Sequence, residues 1–315
     1  MVAGLNSIPL DALDPHIRPI NAWRDGAAIA DLLELSFRDD VIDENGQRMI
    51  RMLRNFGPLE SILMEGSPGF VWVEDGKVLG NVGTQINPTR RNTWVIGNVA
   101  THPDHRNRGI ASALMGAMLQ FTRSRGARHV ALQVVDGNAP AVHLYEKYGF
   151  ISVGAVSYYR RTAVRQLPVW HDVSASTALM VHRAGWHDSD NVWRVTRFNL
   201  PDELTYSEPF DEAHYHLGLR WSLSNAFSGS PERWLVGETD GRFSGAVRTR
   251  VNLDMSEHHI ELMLRDESSE GDGLALLEPA LKHFEIYVSK PILAAQSRPH
   301  DVSHVALQAM GFKPL

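Results

Sequence analysis

Residues 99–111 combine an apolar segment, two arginines and a glycine in an order that suits anion binding. The run Arg106-Asn107-Arg108-Gly109-Ile110-Ala111 follows an apolar segment and opens a helical stripe of apolar residues. The first N–H groups of a helix have no partner of their own, and the helix dipole favours negative charge beside them. Small residues at 109 and 111 let the backbone approach a ligand, and the guanidinium groups add positive charge. The pattern predicts a pyrophosphate site.

A second run, Asn138 to Phe150, predicts a short capped helix. It begins with an asparagine suited to the N-cap, carries Pro140 in its first turn and ends with Gly149, where a left-handed C-cap is expected. Apolar and aromatic residues, including Tyr145 and Tyr148, fall on one face of this helix. We therefore expect Tyr148 to pack against a sheet.

The two runs together resemble motifs of the GNAT superfamily of N-acetyltransferases. The coenzyme A loop of that family reads Gln or Arg, two residues, Gly, one residue, then Gly or Ala. Its fifth strand is followed by Asn, a small residue, Leu-Tyr, three residues and Gly-Phe, and here residues 132–134 supply that strand. The resemblance implies an acetyl-coenzyme A-dependent N-acetyltransferase whose acceptor is a primary amine of a small molecule or a protein. A coenzyme A-binding sensor with little turnover is the alternative, and acyl groups longer than acetyl stay open.

The resemblance also implies roles for individual residues. The main-chain N–H near Val99 or Ala100 would polarise the thioester carbonyl, Tyr145 would be the general acid to the leaving sulfur, and Asn138 would touch the pantetheine arm. The remaining residues implied to bind the donor extend through the loop: Thr101, Arg106, Asn107, Arg108, Gly109, Ile110 and Ala111. No metal is implied.

The general base is where this chain departs from the family. Many relatives carry a glutamate on the fourth strand at the position that here is Gly97. Either a water chain or an acid from another segment must then accept the proton. The sequence offers one acidic segment near the first helical region, with a solvated loop as the simpler interpretation: Asp39, Asp40, Asp43 and Glu44. Tyr158 and Tyr159 lie in an expected closing hairpin, Ser152 to Arg161, which usually borders the acceptor pocket.

Composition limits the class of protein. A chain of 315 residues exceeds the usual single-domain size, so two domains are expected. It has no apolar run of about eighteen residues and no basic-then-apolar leader, which argues against a membrane span and a secretory signal. Zero cysteines exclude disulfides and thiolate metal sites, and a net charge of −6 is unlike a nucleic-acid binder. We expect a cytoplasmic monomer or homodimer.

The chain also repeats itself. The run 74–80 resembles 239–245, Gly109 corresponds to Gly273, and Gly149-Phe150 corresponds to Gly311-Phe312. Anchors in one order predict two copies of one α/β fold, each a mixed, largely antiparallel sheet flanked by helices. We place a catalytic domain at 1–165 and a second domain at 166–315, with a linker near 161–172.

The second copy differs in its chemistry. Glu270 stands where the first copy has Arg106, Glu267 and Asp272 lie beside it, and Leu307 stands where the first copy has Tyr145. Carboxylates in the loop should repel coenzyme A. The second half is therefore interpreted as a degenerate acetyltransferase domain, and binding of a different ligand remains the competing interpretation.

These motifs require particular elements to position them. The patterns predict a first strand at 16–20, helices at 23–37 and 43–56, strands at 70–74 and 77–87, and a strand at 129–134. We expect His102 and His105 to order the loop rather than bind metal, since no Cys or HExxH pattern is nearby. Arg90 and Arg91 are expected in a solvated hairpin turn, with the 3′-phosphate of coenzyme A as the alternative contact.

Overall fold

The computed structural model of this chain describes residues 1–4, 14–37, 50, 54, 68–162, 179–207, 210–226, 230–253, 257–287, 289–297 and 301–315. These residues divide into two units, the first formed by 1–153 with 205–210 and the second by 154–204 with 211–315. Each unit contains one mixed sheet with helices beside it. The expected fold class is confirmed.

The sheet of the first unit has the strand order β1-β6-β5-β4-β3-β2. Among its described strands only the β5–β6 pair is parallel. Its strands are β1 (Val2–Gly4), β2 (Ile17–Pro19), β3 (Gly69–Glu74), β4 (Lys77–Ile86), β5 (Thr93–Thr101) and β6 (His129–Leu132). Its helices are α1 (Ala22–Ser36), α2 (Ile110–Ser124) and α3 (Ala139–Lys147), with a short 3₁₀ turn at Pro103–His105.

The sheet of the second unit has the order β13-β7-β12-β11-β10-β9-β8, and among its described strands only β11–β12 is parallel. Its strands are β7 (Ser157–Arg161), β8 (Leu179–Arg183), β9 (Glu232–Thr239), β10 (Arg242–Arg250), β11 (His258–Leu264), β12 (Ile292–Gln296) and β13 (Lys313–Pro314). Its helices are α4 (Ser189–Asn199), α5 (Leu219–Ala226), α6 (Glu270–Phe284) and α7 (Asp301–Ala309), with 3₁₀ turns at Trp186–Asp188, Asp202–Tyr206 and Glu212–His214.

Helix α2 joins the predicted loop to the core of the first unit. Its buried face includes Ile110, Leu114 and Met118, all essentially inaccessible to solvent, and these side chains pack in one cluster with β3, β4, β5 and β6. Burial of such side chains contributes roughly 1.5–3 kcal/mol each. The start of α2 is therefore held rigidly against the sheet. The first predicted helix matches α1 within one residue at each end, whereas the helix expected at 43–56 lies outside the described residues apart from 50 and 54.

The repeat is visible in equivalent hairpins of the two units. β3 and β4 are joined by Asp75-Gly76, and β9 and β10 by Asp240-Gly241, with all four residues at positive φ between 49° and 75°. Two successive left-handed residues make the tight turn that matches the twist of paired strands, and Asp-Gly is a favoured sequence for it. The same local solution therefore occurs at the same place in both copies.

The closing hairpin expected at 152–161 is not formed. β7 pairs with β12 and β13 of the second sheet, while Ile151 forms an isolated bridge with Val2. In the first sheet β1 holds the equivalent place, antiparallel to β6. β7 is therefore the counterpart of β1. The two units divide after residue 153, whereas the boundary proposed from the sequence lies between residues 165 and 166.

This pairing also relocates the two tyrosines that were expected at the first acceptor pocket. Tyr159 is buried in the core of the second unit, and its hydroxyl lies 2.7 Å from Nδ1 of His304. Tyr158, on the other face of β7, is half-buried opposite Ala295. Both tyrosines therefore belong to the sheet of the second unit and not to a closing hairpin of the first.

In the loop between β4 and β5, Arg91 is exposed as expected, whereas Arg90 is half-buried. Arg90 donates from Nε to Thr205 Oγ1 at 2.6 Å, and its guanidinium carbon lies 4.1 Å above the ring of Tyr206. Asn87 donates from Nδ2 to the carbonyls of Thr205 and Tyr206 at 2.9 and 3.0 Å. These contacts anchor Thr205 and Tyr206 within the first unit. Within the described part of the chain, no helix has the length and apolar character needed to cross a membrane.

Candidate active site

Strand β5 carries a bulge immediately before the predicted loop. Asn81 of β4 pairs with Ala100 and Gly83 pairs with Gly97, so two residues of β5, Asn98 and Val99, stand opposite one residue of β4. Asn98 has φ of +57°, and its carbonyl accepts a hydrogen bond from Nδ2 of Asn81 at 2.9 Å. A bulge leaves one residue out of the ladder, so a main-chain N–H becomes available at this point. This is where the sequence placed the carbonyl-polarising amide.

The N-terminus of α2 is open. Its N-cap, Gly109, is left-handed with φ of +81° and makes no side-chain capping hydrogen bond, and Asn107 is left-handed with φ of +62°. The first intrahelical bond in the helix runs from the N–H of Ala113 to the carbonyl of Gly109. The N–H groups of residues 110–112 therefore lie ahead of the helical ladder, and no described side chain caps them. A negatively charged group placed there would satisfy these donors.

The 3₁₀ turn before the loop is held by two histidines, as expected. Nδ1 of His102 accepts from the N–H of Asp104 at 3.3 Å. Nδ1 of His105 lies 2.6 Å from Nη1 of Arg108. Both rings order the chain between β5 and α2, and neither belongs to a group of metal-ligand side chains among the described residues.

The two loop arginines stand in different surroundings. Arg108 donates from Nη2 to both carboxylate oxygens of Glu74 at 2.8 and 2.9 Å, so its charge is compensated by the β3–β4 hairpin. Arg106 is exposed and makes one long contact, 3.4 Å from Nη2 to the carbonyl of Ser36. Arg106 can therefore bind an anion with the loss of only this long contact. Arg108 would first have to break its hydrogen bonds with Glu74. The sequence did not reveal the Glu74 contact, because it joins residues 34 positions apart.

Tyr145 lies on α3 in the core of the first unit. Its side chain is buried beside Phe150, and its hydroxyl has no hydrogen-bond partner among the described residues. Burial raises the pKa of Tyr145 to about 12, because the phenolate would be poorly solvated there. The hydroxyl is therefore protonated throughout the neutral range and can donate a hydrogen bond.

Tyr148 and Asn138 hold α3 in place. Tyr148 packs against the core cluster as expected, and its hydroxyl donates to the carbonyl of Ser112 in the first turn of α2. Asn138 is the N-cap that the sequence predicted, with Oδ1 accepting from the N–H of Ala141 at 3.2 Å. Its Nδ2 group makes no hydrogen bond within the described residues, so it is available to a ligand.

Two buried polar atoms in this region are unsatisfied among the described residues. They are Thr101 Oγ1, at the end of β5, and Asn81 Oδ1, whose Nδ2 holds the bulge. A buried polar atom without a partner costs about 1–3 kcal/mol, and a water, an ion or a ligand can supply the missing partner. Both atoms belong to the strand pair that leads into the loop. The position of the missing strand glutamate, Gly97, is exposed, and the acidic segment 39–44 lies outside the described residues.

In the second unit the equivalent strand pair is regular and the equivalent helix N-terminus is capped. The β10–β11 register runs from Gly245 to Arg250 without a bulge. At the start of α6, Oγ of Ser269 accepts from the N–H of Asp272 and the carboxylate of Asp272 accepts from the N–H of Ser269, at 3.2 and 2.9 Å. This capping box fills the positions that an anion would take. At this helix N-terminus the Ser269 hydroxyl therefore caps the N–H of Asp272, and a carboxylate already lies beside it.

Further differences lie along the parallel pair of the second sheet. Beyond the last paired residues, Gln296 donates from Nε2 to the carbonyl of Leu262 at 3.2 Å and so bridges β12 and β11. Glu261 occupies the strand position of Gly97, but Nη1 of Arg248 lies 3.2 Å from its carboxylate and the Tyr215 hydroxyl lies 3.3 Å away. That carboxylate is part of a buried ion network, and Leu307 on α7 is fully buried.

The chain is similar to known acetyltransferases over the part that carries these motifs. Residues 27–150 match the Acetyltransferase (GNAT) family. The chain is 42% identical over 69 residues to streptothricin acetyltransferase of Streptomyces lavendulae, covering 22% of this chain and 36% of that protein. It is 36% identical over 93 residues to mycothiol acetyltransferase of Saccharomonospora viridis, covering 27% of this chain and 30% of that one. The chain thus spans about a third of the length of these relatives.

Solved structures extend the likeness to the whole fold. A GCN5-related N-acetyltransferase from Sphaerobacter thermophilus aligns over 96% of this chain and 94% of its own, with a TM-score of 0.61 and 16% identity. The glucosamine N-acetyltransferase region of a fungal multi-domain β-N-acetylglucosaminidase aligns over 97% of this chain and 38% of its own, with a TM-score of 0.57. At such identity these alignments show the fold. The residues that match the GNAT family, 27–150, lie in the first of the two units.

Proposed function

We propose that the first unit transfers an acetyl group from acetyl-coenzyme A to a primary amine of a small molecule or a protein. The observation that carries this proposal is the open, left-handed start of α2 directly behind the bulge of β5. Both features leave main-chain N–H groups without a partner among the described residues, which supports binding of a diphosphate and a thioester carbonyl at these points. In the second unit the equivalent strand pair has no bulge, and the Ser269 hydroxyl caps the equivalent helix.

The donor site is assembled from β5, the loop and the first turn of α2. In this proposal the N–H of Val99 or Ala100 faces the thioester carbonyl, with Thr101 closing the strand. Backbone donors held in advance can contribute about 2.7–4 kcal/mol to a transition state in a dry site. The pyrophosphate is held by Asn107, Gly109, Ile110 and Ala111 together with Arg106 and Arg108, and Asn138 Nδ2 meets the pantetheine arm.

Tyr145 is proposed as the group that assists the leaving sulfur. A thiol has a pKa near 8.5, so full proton transfer from a tyrosine of pKa about 12 would be uphill by about 5 kcal/mol. The raised pKa therefore favours a hydrogen bond from the phenol to the developing thiolate. The acceptor amine loses a proton as it forms the amide, and that proton balances the one gained by the thiol. Gly97 cannot accept it, so water or another acid must do so.

The second unit is proposed as a degenerate acetyltransferase domain retained for packing or for shaping the acceptor site. Three observations support this: the capping box at α6, the unbulged β11 and the Gln296 bridge. We propose that catalysis belongs to the first unit alone. A cytoplasmic location follows from the proposed donor, and a monomer or homodimer is compatible with it.

The test is the release of free thiol from acetyl-coenzyme A with a panel of primary amines that includes streptothricin and a lysine peptide. Arg106→Glu, which copies Glu270 of the second unit, should weaken donor affinity at least about tenfold because it reverses the charge beside the helix N-terminus. Arg128→Glu makes the same charge change beyond the other end of α2 and should leave affinity unchanged. Equal affinities of the two variants would refute the assignment of the loop.

The rival function is a coenzyme A-binding sensor, and the exposed Gly97 favours it because the strand offers no carboxylate there. A sensor would bind acetyl-coenzyme A, respond to Arg106→Glu and release no thiol with any amine. An enzyme would release thiol and yield an acetylated amine that mass spectrometry detects. The same preparations therefore separate the two functions.

A further inference from the structure

A second cluster of ligand-type side chains lies in the second unit, outside the proposed acetyl-transfer site. His182 stands on β8, Glu238 on β9, and Asp188 at the end of the 3₁₀ turn that leads into α4. One ligand atom from each residue lies within 4.8 Å of those from the other two. Glu238 pairs with Met180, two residues from His182 on the neighbouring strand, so the strand register places the two side chains on one face.

The hydrogen bonding of His182 leaves one ring nitrogen available as a ligand. Nδ1 lies 3.2 Å from the carbonyl oxygen of Arg183, which can only accept, so Nδ1 must carry the proton. Nε2 then has its lone pair free. A carbonyl that fixes the tautomer and orientation of a histidine in this way is a recurrent partner of metal-ligating histidines.

The charges of the cluster favour a bound cation. Asp188 is buried, with its side chain 4% exposed, and Oδ2 accepts from the N–H of Gly185 at 2.7 Å. Glu238 is half-buried. Among the described residues no lysine or arginine forms an ion pair with either carboxylate, and the exposed His187, 3.2 Å from Asp188, is the sole cationic partner when protonated. Two carboxylates this close repel one another unless a positive charge lies between them.

We propose that His182, Asp188 and Glu238 form a binding site for a divalent transition-metal ion, for which Zn²⁺ fits the donor set best. One imidazole nitrogen and two carboxylate oxygens, with water completing the shell, suit zinc rather than calcium or magnesium, which prefer all-oxygen sites. Ligand atoms in a tetrahedral zinc site lie roughly 3.3–3.5 Å apart, given bonds of about 2.0–2.2 Å. The three ligand atoms now lie within 4.8 Å of one another, so the side chains must draw closer around a bound ion.

The metal would cross-link three elements at the edge of the second sheet. β8 is the edge strand, and the three ligands join it to β9 and to the turn that precedes α4. A ligand that binds only the folded state stabilises it by mass action. The site lies in the unit for which we propose no catalysis, so its occupancy should change the stability of that unit without a step in acetyl transfer.

The experiment is a Zn²⁺ titration of the chelator-treated full chain, with a competing metal dye as the readout and the thermal midpoint as a second measurement. We expect one tight Zn²⁺ per chain and a higher midpoint on binding. His182→Gln and Glu238→Gln should each weaken that binding at least about tenfold, since each removes a direct ligand. His143→Gln removes an exposed histidine of α3 in the first unit and should change neither quantity.

The proposal is wrong if Zn²⁺ shows no saturable binding, or if both ligand variants bind it as tightly as the native chain. Circular dichroism of the metal-free variants establishes that they fold, and His182→Gln, at the surface, decides the matter if Glu238→Gln does not fold. Thiol release is measured in parallel. Because the metal readout is independent of acetyl transfer, failure of one proposal leaves the other standing.

Discussion

Gly109→Ala isolates the geometry of the helix N-terminus from its charge. Gly109 has φ of +81°, and a Cβ built there meets no heavy atom within 4 Å. The substitution therefore creates no clash, and its cost is the left-handed backbone alone, about 1–2 kcal/mol for an L-residue. In the free protein the loop can relieve this strain by shifting. Binding of a diphosphate to the amides of residues 110–112 must restore the left-handed form.

The strain therefore returns as lost affinity. A cost of about 1–2 kcal/mol corresponds to a roughly 5–30-fold weaker binding of coenzyme A. Gly126→Ala is the matched control. Gly126 lies just beyond the other end of the same helix, with φ of +78° and equally open space. Gly126→Ala should lower the free energy of unfolding by about 1–2 kcal/mol and should leave the affinity for coenzyme A unchanged.

Isothermal titration with coenzyme A gives the affinity, and calorimetric unfolding gives the stability of each variant. The reasoning is refuted if Gly109→Ala and Gly126→Ala bind coenzyme A equally well. It is refuted also if Gly109→Ala binds as tightly as the native chain without losing stability, because a loop relaxed from the left-handed form would then hold the ligand equally well.

Three further outcomes follow from the buried groups. Tyr145→Phe should lower kcat by about 10²-fold with donor affinity unchanged. Because the pKa of Tyr145 is about 12, its hydroxyl stays protonated to high pH. A fall in the rate of the native chain below about pH 10 that the Phe variant lacks would contradict the assignment. Glu232→Gln should lower the free energy of unfolding, measured in urea, by about 3–5 kcal/mol, because Arg248 would lose its closest buried carboxylate. In the native chain Nη2 of Arg248 lies 2.6 Å from Glu232. A decrease below about 1 kcal/mol would show that the pair is not essential. Burial lowers the pKa of His283 to about 4 against about 6.5 unfolded, so its contribution to stability is present above pH 6.5 and lost as the pH falls toward 4. Between pH 7 and pH 5 that loss should be about 2 kcal/mol and absent from His283→Gln, and an equal loss in both proteins would exclude His283.

The local structure of this chain, its helix caps and tight turns, was predictable because neighbouring residues determine it. Asn138 as N-cap and the Asp-Gly hairpin turns depend on interactions within a few positions, and the structure contains them. The apolar stripe from Ile110 likewise defined α2, whose buried face is the expected one. The bulge had a weaker signal, the Gly97-Asn98 pair inside an apolar strand, where asparagine tolerates positive φ.

Contacts distant in sequence were not predictable. β7 contains two tyrosines, which are common in strands, but the sequence of residues 157–161 does not determine which sheet it joins, and proximity in sequence suggested the wrong sheet. The Glu74–Arg108 pair and the Arg90–Tyr206 stacking join residues 34 and 116 positions apart. Propensity and spacing describe elements, whereas pairing and charge compensation are settled by tertiary packing.

Amide hydrogen exchange with and without coenzyme A tests the central claim most directly, because it reports on the individual N–H groups. We predict that exchange slows at residues 109–112, at the start of α2, and at Val99 or Ala100 of β5, and does not change at residues 270–272, at the start of α6. Slowing at the start of α6, or no slowing at the start of α2 with coenzyme A bound, would contradict the account.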